Sequence, residues 1–140
     1  MTARLRTVLL IDDCDADNFL HRRAIQRSGL VEEIVVQPDG EAGLAYLQSC
    51  ADAGDAFPEL VLVDINMPRM TGWEFLEGFS ELTGATPSPT VLYVLSGTLN
   101  PADHARAEAS PVVAGFRSKS LTSDMLREMV DTHFGEENAG

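Results

Sequence analysis

The sequence predicts an α/β fold built on a parallel sheet. Three features carry that expectation. Short apolar runs recur along the chain, amphipathic segments alternate with them, and four of the runs end in a polar side chain. The central run is Leu60-Val61-Leu62-Val63. Four consecutive apolar residues, half of them β-branched, suit a strand buried on both faces. Asp64 follows at once, and Asn66, Pro68 and Gly72 mark a loop. Ligands of open α/β sheets bind beyond the carboxyl ends of the strands, so Asp64 stands where chemistry is expected. Capping that loop or the next helix is the plainer use of the same residue.

The other elements follow in order. Thr7 to Ile11 is a first buried strand, with Asp12 and Asp13 directly after it. Asp15 or Asp17 is expected to cap a helix that turns Phe19, Leu20, Ala24 and Ile25 inward, and Gly29 ends it. Ile34 to Val36 forms a short strand closed by Pro38-Asp39-Gly40. A helix over Glu41 to Gln48 turns Ala42, Ala45, Tyr46 and Leu47 inward, and Ala51 to Pro58 reads as a loop. After the central strand comes a helix from about Trp73 to Leu82, then a turn-rich connection from Thr83 to Pro89.

Val91 to Leu95 is the fourth strand and ends at Ser96. Asn100-Pro101 has the form of a cap followed by proline at the first helical position, opening a short helix to Ala109. Val112 to Phe116 reads as a fifth, weaker strand, followed by Arg117, Ser118 and Lys119. Thr122 or Ser123 caps a last helix bearing Met125, Leu126, Met129, Val130 and Phe134. The expectation is a single domain over residues 1–140, with a core over about 7–134 and a polar tail at 135–140.

Composition narrows the function. A formal charge of −12 disfavours nucleic-acid phosphates and favours cations and basic partner surfaces. No apolar run approaches the ~20 residues that span a bilayer. A cytoplasmic protein without membrane contact is expected, as a monomer or weak homodimer. The two cysteines, Cys14 and Cys50, suggest neither a disulfide framework nor a metal knuckle. Lysine occurs once, at Lys119, against nine arginines. His21, His104 and His133 show no ligand spacing, and Arg22, Arg23 and Arg27 give the first helix a basic stripe.

Four strands thus end in groups that could share one crevice: Asp12 and Asp13, Asp64, Ser96, and Lys119. Three carboxylates in one crevice repel unless a cation intervenes. Mg²⁺ suits them, since it takes carboxylates, water and a phosphate oxygen. An ammonium and a hydroxyl opposite would cradle a phosphoryl group, with Asp64 as nucleophile.

The chain resembles the receiver domains of two-component response regulators. The resemblance rests on Asp12-Asp13 after the first strand, Val63-Asp64-Ile65-Asn66-Met67-Pro68 with Met70 and Gly72, Leu95-Ser96-Gly97, and Phe116 three residues before Lys119. It implies a flavodoxin-like, doubly wound five-stranded sheet of order 2-1-3-4-5 with five helices. It further implies that Asp64 accepts a phosphoryl group from a sensor histidine kinase or a histidine phosphotransfer protein. Mg²⁺ would be held by Asp13, Asp64 and the backbone carbonyl of Asn66, with Asp12 acting through water. Ser96 and Lys119 would bind phosphoryl oxygens. Ser96 and Phe116 would form the switch pair, signalling through the fourth helix, fifth strand and fifth helix to an unspecified downstream protein. Such a domain is a signalling module that assists its own phosphorylation and dephosphorylation, not an enzyme acting on other substrates.

One departure stands out, because Ser120 follows the lysine where the family has proline. A non-proline cis bond costs roughly 2.5–4 kcal/mol, so the Lys119–Ser120 bond is expected to be trans. Two rival readings use the same residues. A phosphohydrolase of the haloacid-dehalogenase type would take Asp13 as nucleophile, but it leaves Asp64 idle and wants paired acids where only Asp124, Glu128 and Asp131 occur. A degenerate receiver that acts only as a protein-binding module would not need the full acid set.

Overall fold

The computed structural model describes residues 5–65, 70–83, 90–97, 101–110, 112–119 and 121–134. Ten elements alternate in order. They are β1 (Leu5–Ile11), α1 (Asp15–Ser28), β2 (Val31–Gln37), α2 (Gly40–Ala53), β3 (Leu60–Asp64), α3 (Gly72–Thr83), β4 (Val91–Ser96), α4 (Pro101–Ala109), β5 (Gly115–Ser118) and α5 (Ser123–Phe134). The strands are all parallel and lie in the order β2-β1-β3-β4-β5. This is the doubly wound, flavodoxin-like arrangement that the resemblance implied.

Strand alternation divides the core. Leu9, Ile11, Val61, Val63, Leu92, Val94 and Phe116 point to one face, against Leu47 of α2 and Phe75, Leu76 and Phe79 of α3. Val8, Leu10, Leu60, Leu62, Tyr93 and Leu95 point to the other, against Ile25 of α1 and Leu126, Met129 and Val130 of α5. All five residues of β3 are buried, as an unbroken apolar strand with helices on both sides requires.

The helices depart from the sequence reading in instructive ways. On α1, Phe19 and Leu20 are 59% and 51% exposed, and the buried line is Asn18, His21 and Ile25. Apolarity placed Ile25 correctly but put Phe19 and Leu20 on the wrong side. Asn18 turns inward because its side-chain amide donates to the Asp12 carbonyl at 2.9 Å. Neither Asp15 nor Asp17 is the cap. That position is Cys14, which makes no side-chain capping bond, while Gly29 closes the helix in the left-handed region at φ 68°.

Asp39, expected in a turn, instead caps α2 by accepting from the Ala42 amide, and α2 runs five residues past Gln48. Within α2, Ala45 is exposed and Tyr46 half-buried, while Gly43, Leu47 and Cys50 face the core. Thr122 is the cap of α5, its hydroxyl accepting from the Met125 amide at 3.1 Å. Thr71 and Glu74 form a reciprocal capping box at the start of α3.

β2 is longer than Ile34 to Val36, and β5 is shifted. Pairing with β4 begins at Gly115 rather than Val112 and runs to Ser118. A β-carbon on Gly115 would lie 2.5 Å from the Tyr93 ring, so only glycine lets β5 close against that aromatic. Asn100 falls outside the described residues, as do residues 135–140.

Candidate functional site

Register brings the polar strand ends together. Ile11 pairs with Val63, Asp64 with Leu95, and Ser96 with Ser118. The residues one step beyond β1 and β5, Asp12 and Lys119, therefore flank Asp64 and Ser96 at one edge of the sheet. The Lys119 amide extends the ladder by donating to the Ser96 carbonyl at 2.8 Å.

Side chains close the arrangement. Lys119 Nζ lies 2.7 Å from Asp12 Oδ2, 2.8 Å from Asp17 Oδ2 and 3.5 Å from Asp64 Oδ2. Asp12, Asp64 and Ser96 are buried, while Asp13 is exposed. Carboxylate oxygens of Asp12, Asp13 and Asp64 fall within 4.8 Å of one another. The second oxygen of Asp12 accepts from the Cys14 amide at 2.9 Å, which orients the carboxylate.

The charges account for the titration behaviour. Burial works against the Lys119 ammonium, but the carboxylates of Asp12, Asp17 and Asp64 outweigh it and lift its pKa above the ordinary lysine value. The hydrogen bond from Lys119 is the main cause that holds the Asp17 carboxyl below its ordinary range. His21 is fully buried, and its pKa is lowered chiefly by that burial. Neither of its ring nitrogens has a hydrogen-bond partner among the described residues.

Three carboxylates therefore contact one ammonium and a fourth, Asp13, lies beside two of them, leaving excess negative charge at a sheet edge where Asp13 is exposed. Hard oxygen donors in that number fit a hard divalent cation such as Mg²⁺. Asn66 and Ser120 lie outside the described residues, and with them the expected carbonyl ligand and the Lys119–Ser120 bond. Phe116 is buried, and its ring meets His104 of α4 edge-on at 5.3 Å between centroids.

The sequence reading brought Asp12, Asp13, Asp64, Ser96 and Lys119 to one strand edge, and they lie there. It missed Asp17, which it offered only as a helix cap. Asp17 precedes the buried His21 by four residues, so both lie on one side of α1. The burial of His21 is a tertiary fact, so the sequence held no signal for Asp17. Asp124 and Glu128, which a haloacid-dehalogenase reading would need, are exposed on α5, and Glu128 pairs with Arg117 at 4.0 Å.

Comparison with known proteins agrees with this geometry. Residues 8–131 match the family described as the response regulator receiver domain. The probable methanogenesis regulatory protein FilR2 of Methanothrix harundinacea is 29% identical over 124 residues, which are 89% of this chain and 78% of that one. A two-component response regulator from Cytophaga hutchinsonii superposes with a TM-score of 0.86 at 35% identity, over 94% of this chain and 98% of its own. A response regulator receiver protein from Dyadobacter fermentans gives a TM-score of 0.79 at 27% identity, over 92% and 98% of the respective chains.

Proposed function

The chain belongs to the response regulator receiver domain family, and on that footing we propose that Asp64 is its phosphoacceptor and that phosphorylation switches partner binding. Receiver domains work with histidine kinases and phosphotransfer proteins, and typically bind Mg²⁺ at an acidic pocket. The observation that carries the reading is the convergence of Asp12, Asp64 and Lys119 from the ends of three different strands onto contacts of 2.7–3.5 Å.

In the proposed reaction an Asp64 carboxylate oxygen attacks the phosphorus of a phosphohistidine. The new O–P bond forms an acyl phosphate as the N–P bond breaks, and the leaving imidazole takes up a proton. Lys119 and Ser96 bind phosphoryl oxygens, the lysine as a compact charge on a flexible stem. Asp13, Asp64 and the Asn66 carbonyl would hold the Mg²⁺, with Asp12 acting through water. The ion supplies positive charge against the phosphoryl oxygens.

Phosphorylation then acts as a local charge event with a distant readout. Ser96 draws toward the phosphoryl group and Phe116 packs behind it. Phe116 touches His104, so this movement reaches α4 and the face formed by α4, β5 and α5. The exposed Phe19 and Leu20 beside Arg22, Arg23 and Arg27 suit α1 to dock the phosphodonor protein.

A small phosphodonor with Mg²⁺ tests the reading. One phosphoryl group should be added to the wild-type protein and be labile to hydroxylamine. Chelation of the metal or Asp64→Asn should prevent the addition. Undiminished labelling of Asp64→Asn would refute the assignment.

A further inference from the structure

Lys119 is not centred on Asp64. Its two short contacts, 2.7 Å to Asp12 and 2.8 Å to Asp17, run toward the β1–α1 side, and the Asp64 contact is longer at 3.5 Å. Asp12 belongs to the acidic pair already assigned. Asp17 lies in the first turn of α1, and its carboxylate accepts from the Lys119 ammonium at 2.8 Å. The capping position is Cys14, so capping does not explain the orientation of Asp17.

We propose that Asp17 is a positioning residue that holds the Lys119 ammonium on the α1 side of the cleft and competes for it with an arriving phosphoryl group. The proposal rests on the phosphoacceptor reading of Asp64. An ammonium has three N–H donors, and here three carboxylates surround it. A phosphoryl oxygen on Asp64 must draw the ammonium toward itself and away from Asp17, to which it donates at 2.8 Å. Asp17 is the partner to be released, because its side chain is 31% exposed and water can replace the lysine there, whereas Asp12 is buried. Asp17 also adds a negative charge facing an incoming anion. Both effects weaken phosphoryl binding in the resting protein. They also couple the start of α1 to the end of β5 through one hydrogen bond.

Lys119 is the only lysine in the chain, so protein labelled with ¹³C at lysine Cε gives one side-chain lysine resonance. In Asp17→Asn, without metal or phosphodonor, that resonance should shift, and Asp17→Glu should restore it toward the wild-type position. Beryllofluoride with Mg²⁺, a phosphoryl mimic, should bind Asp17→Asn about three- to tenfold more tightly than wild type, the range for one partly exposed charged hydrogen bond. An unmoved resonance in Asp17→Asn overturns the contact. A moved resonance with equal or weaker beryllofluoride binding overturns the competition. Wild-type binding that survives Asp64→Asn unchanged would instead overturn the phosphoacceptor reading and the competition with it, while the resonance still decides whether Asp17 holds the lysine.

Discussion

His21 is a buried imidazole on the inner face of α1, close enough to Asp12, Asp17 and Lys119 to feel their charges. Burial is the largest influence and lowers the pKa of the ring in the folded protein. Below the ordinary value of 6.5 the unfolded chain binds a proton there that the folded chain refuses. His21 therefore costs stability progressively as pH falls from 6.5 toward its lowered folded-state pKa. Asp17 and Lys119 do not confuse the measurement. Asp17 loses its contribution only as pH falls below 3.8, and Lys119 only as pH rises above 10.5. Urea unfolding at about pH 7.5 and about pH 5.5 should show wild type losing stability on acidification, by at most about 1.4 kcal/mol per pH unit for one proton. His21→Gln should lose less. His133 is lowered in the same direction, so part of the slope should remain. An unchanged slope in His21→Gln would contradict the lowered pKa of the buried ring.

The number of the strands and their places along the chain were legible because a buried parallel strand must be a short apolar run, and Leu60 to Val63 or Val91 to Leu95 could be little else. Their order in the sheet came from the family resemblance. The inner face of α1 was legible only at Ile25. Phe19, Leu20, Ala24 and Ile25 form a plausible apolar stripe, yet the tertiary bond from Asn18 to the Asp12 carbonyl turns the helix otherwise. The start of β5 was hidden for a similar reason. Val112 and Val113 have the strand propensity, but Gly115 has the space that Tyr93 needs. Gly72 was read only as punctuation and as part of a motif, and packing shows a further duty. A β-carbon there would lie 2.6 Å from the Ile65 α-carbon and 2.9 Å from the Asp64 carbonyl oxygen. Both are backbone atoms and cannot yield cheaply. Gly72→Ala should lower the unfolding midpoint by the equivalent of about 1–3 kcal/mol and slow phosphorylation by displacing Asp64. Gly97→Ala is the matched control, since nothing lies within 4 Å of its added carbon, and it should stay within about 0.5 kcal/mol of wild type. Equal stability of the two variants would contradict the packing argument.

At the scale of the whole molecule, the chain carries a formal charge of −12, and no helix among the described residues is long and apolar enough to cross a membrane. Duplex DNA at near-physiological salt should not be shifted by the purified protein, because no excess of cations is available to release its counterions. A salt-sensitive complex would contradict this. The acidic cleft is the part of the molecule that the sequence exposed best, because each of its strand-end groups follows an apolar run that places it. Asp17 stayed hidden because a helix, not a strand, delivers it. The central claim is that the phosphoryl group resides on Asp64, and one measurement reaches it directly. Protein phosphorylated by a small donor with Mg²⁺ is reduced with borohydride, which converts an aspartyl phosphate to homoserine, and the peptides are then sequenced by mass spectrometry. Homoserine is expected at position 64 and at no other aspartate. Homoserine at Asp12 or Asp13, or a phosphate retained on Ser96 or His21, would contradict the account.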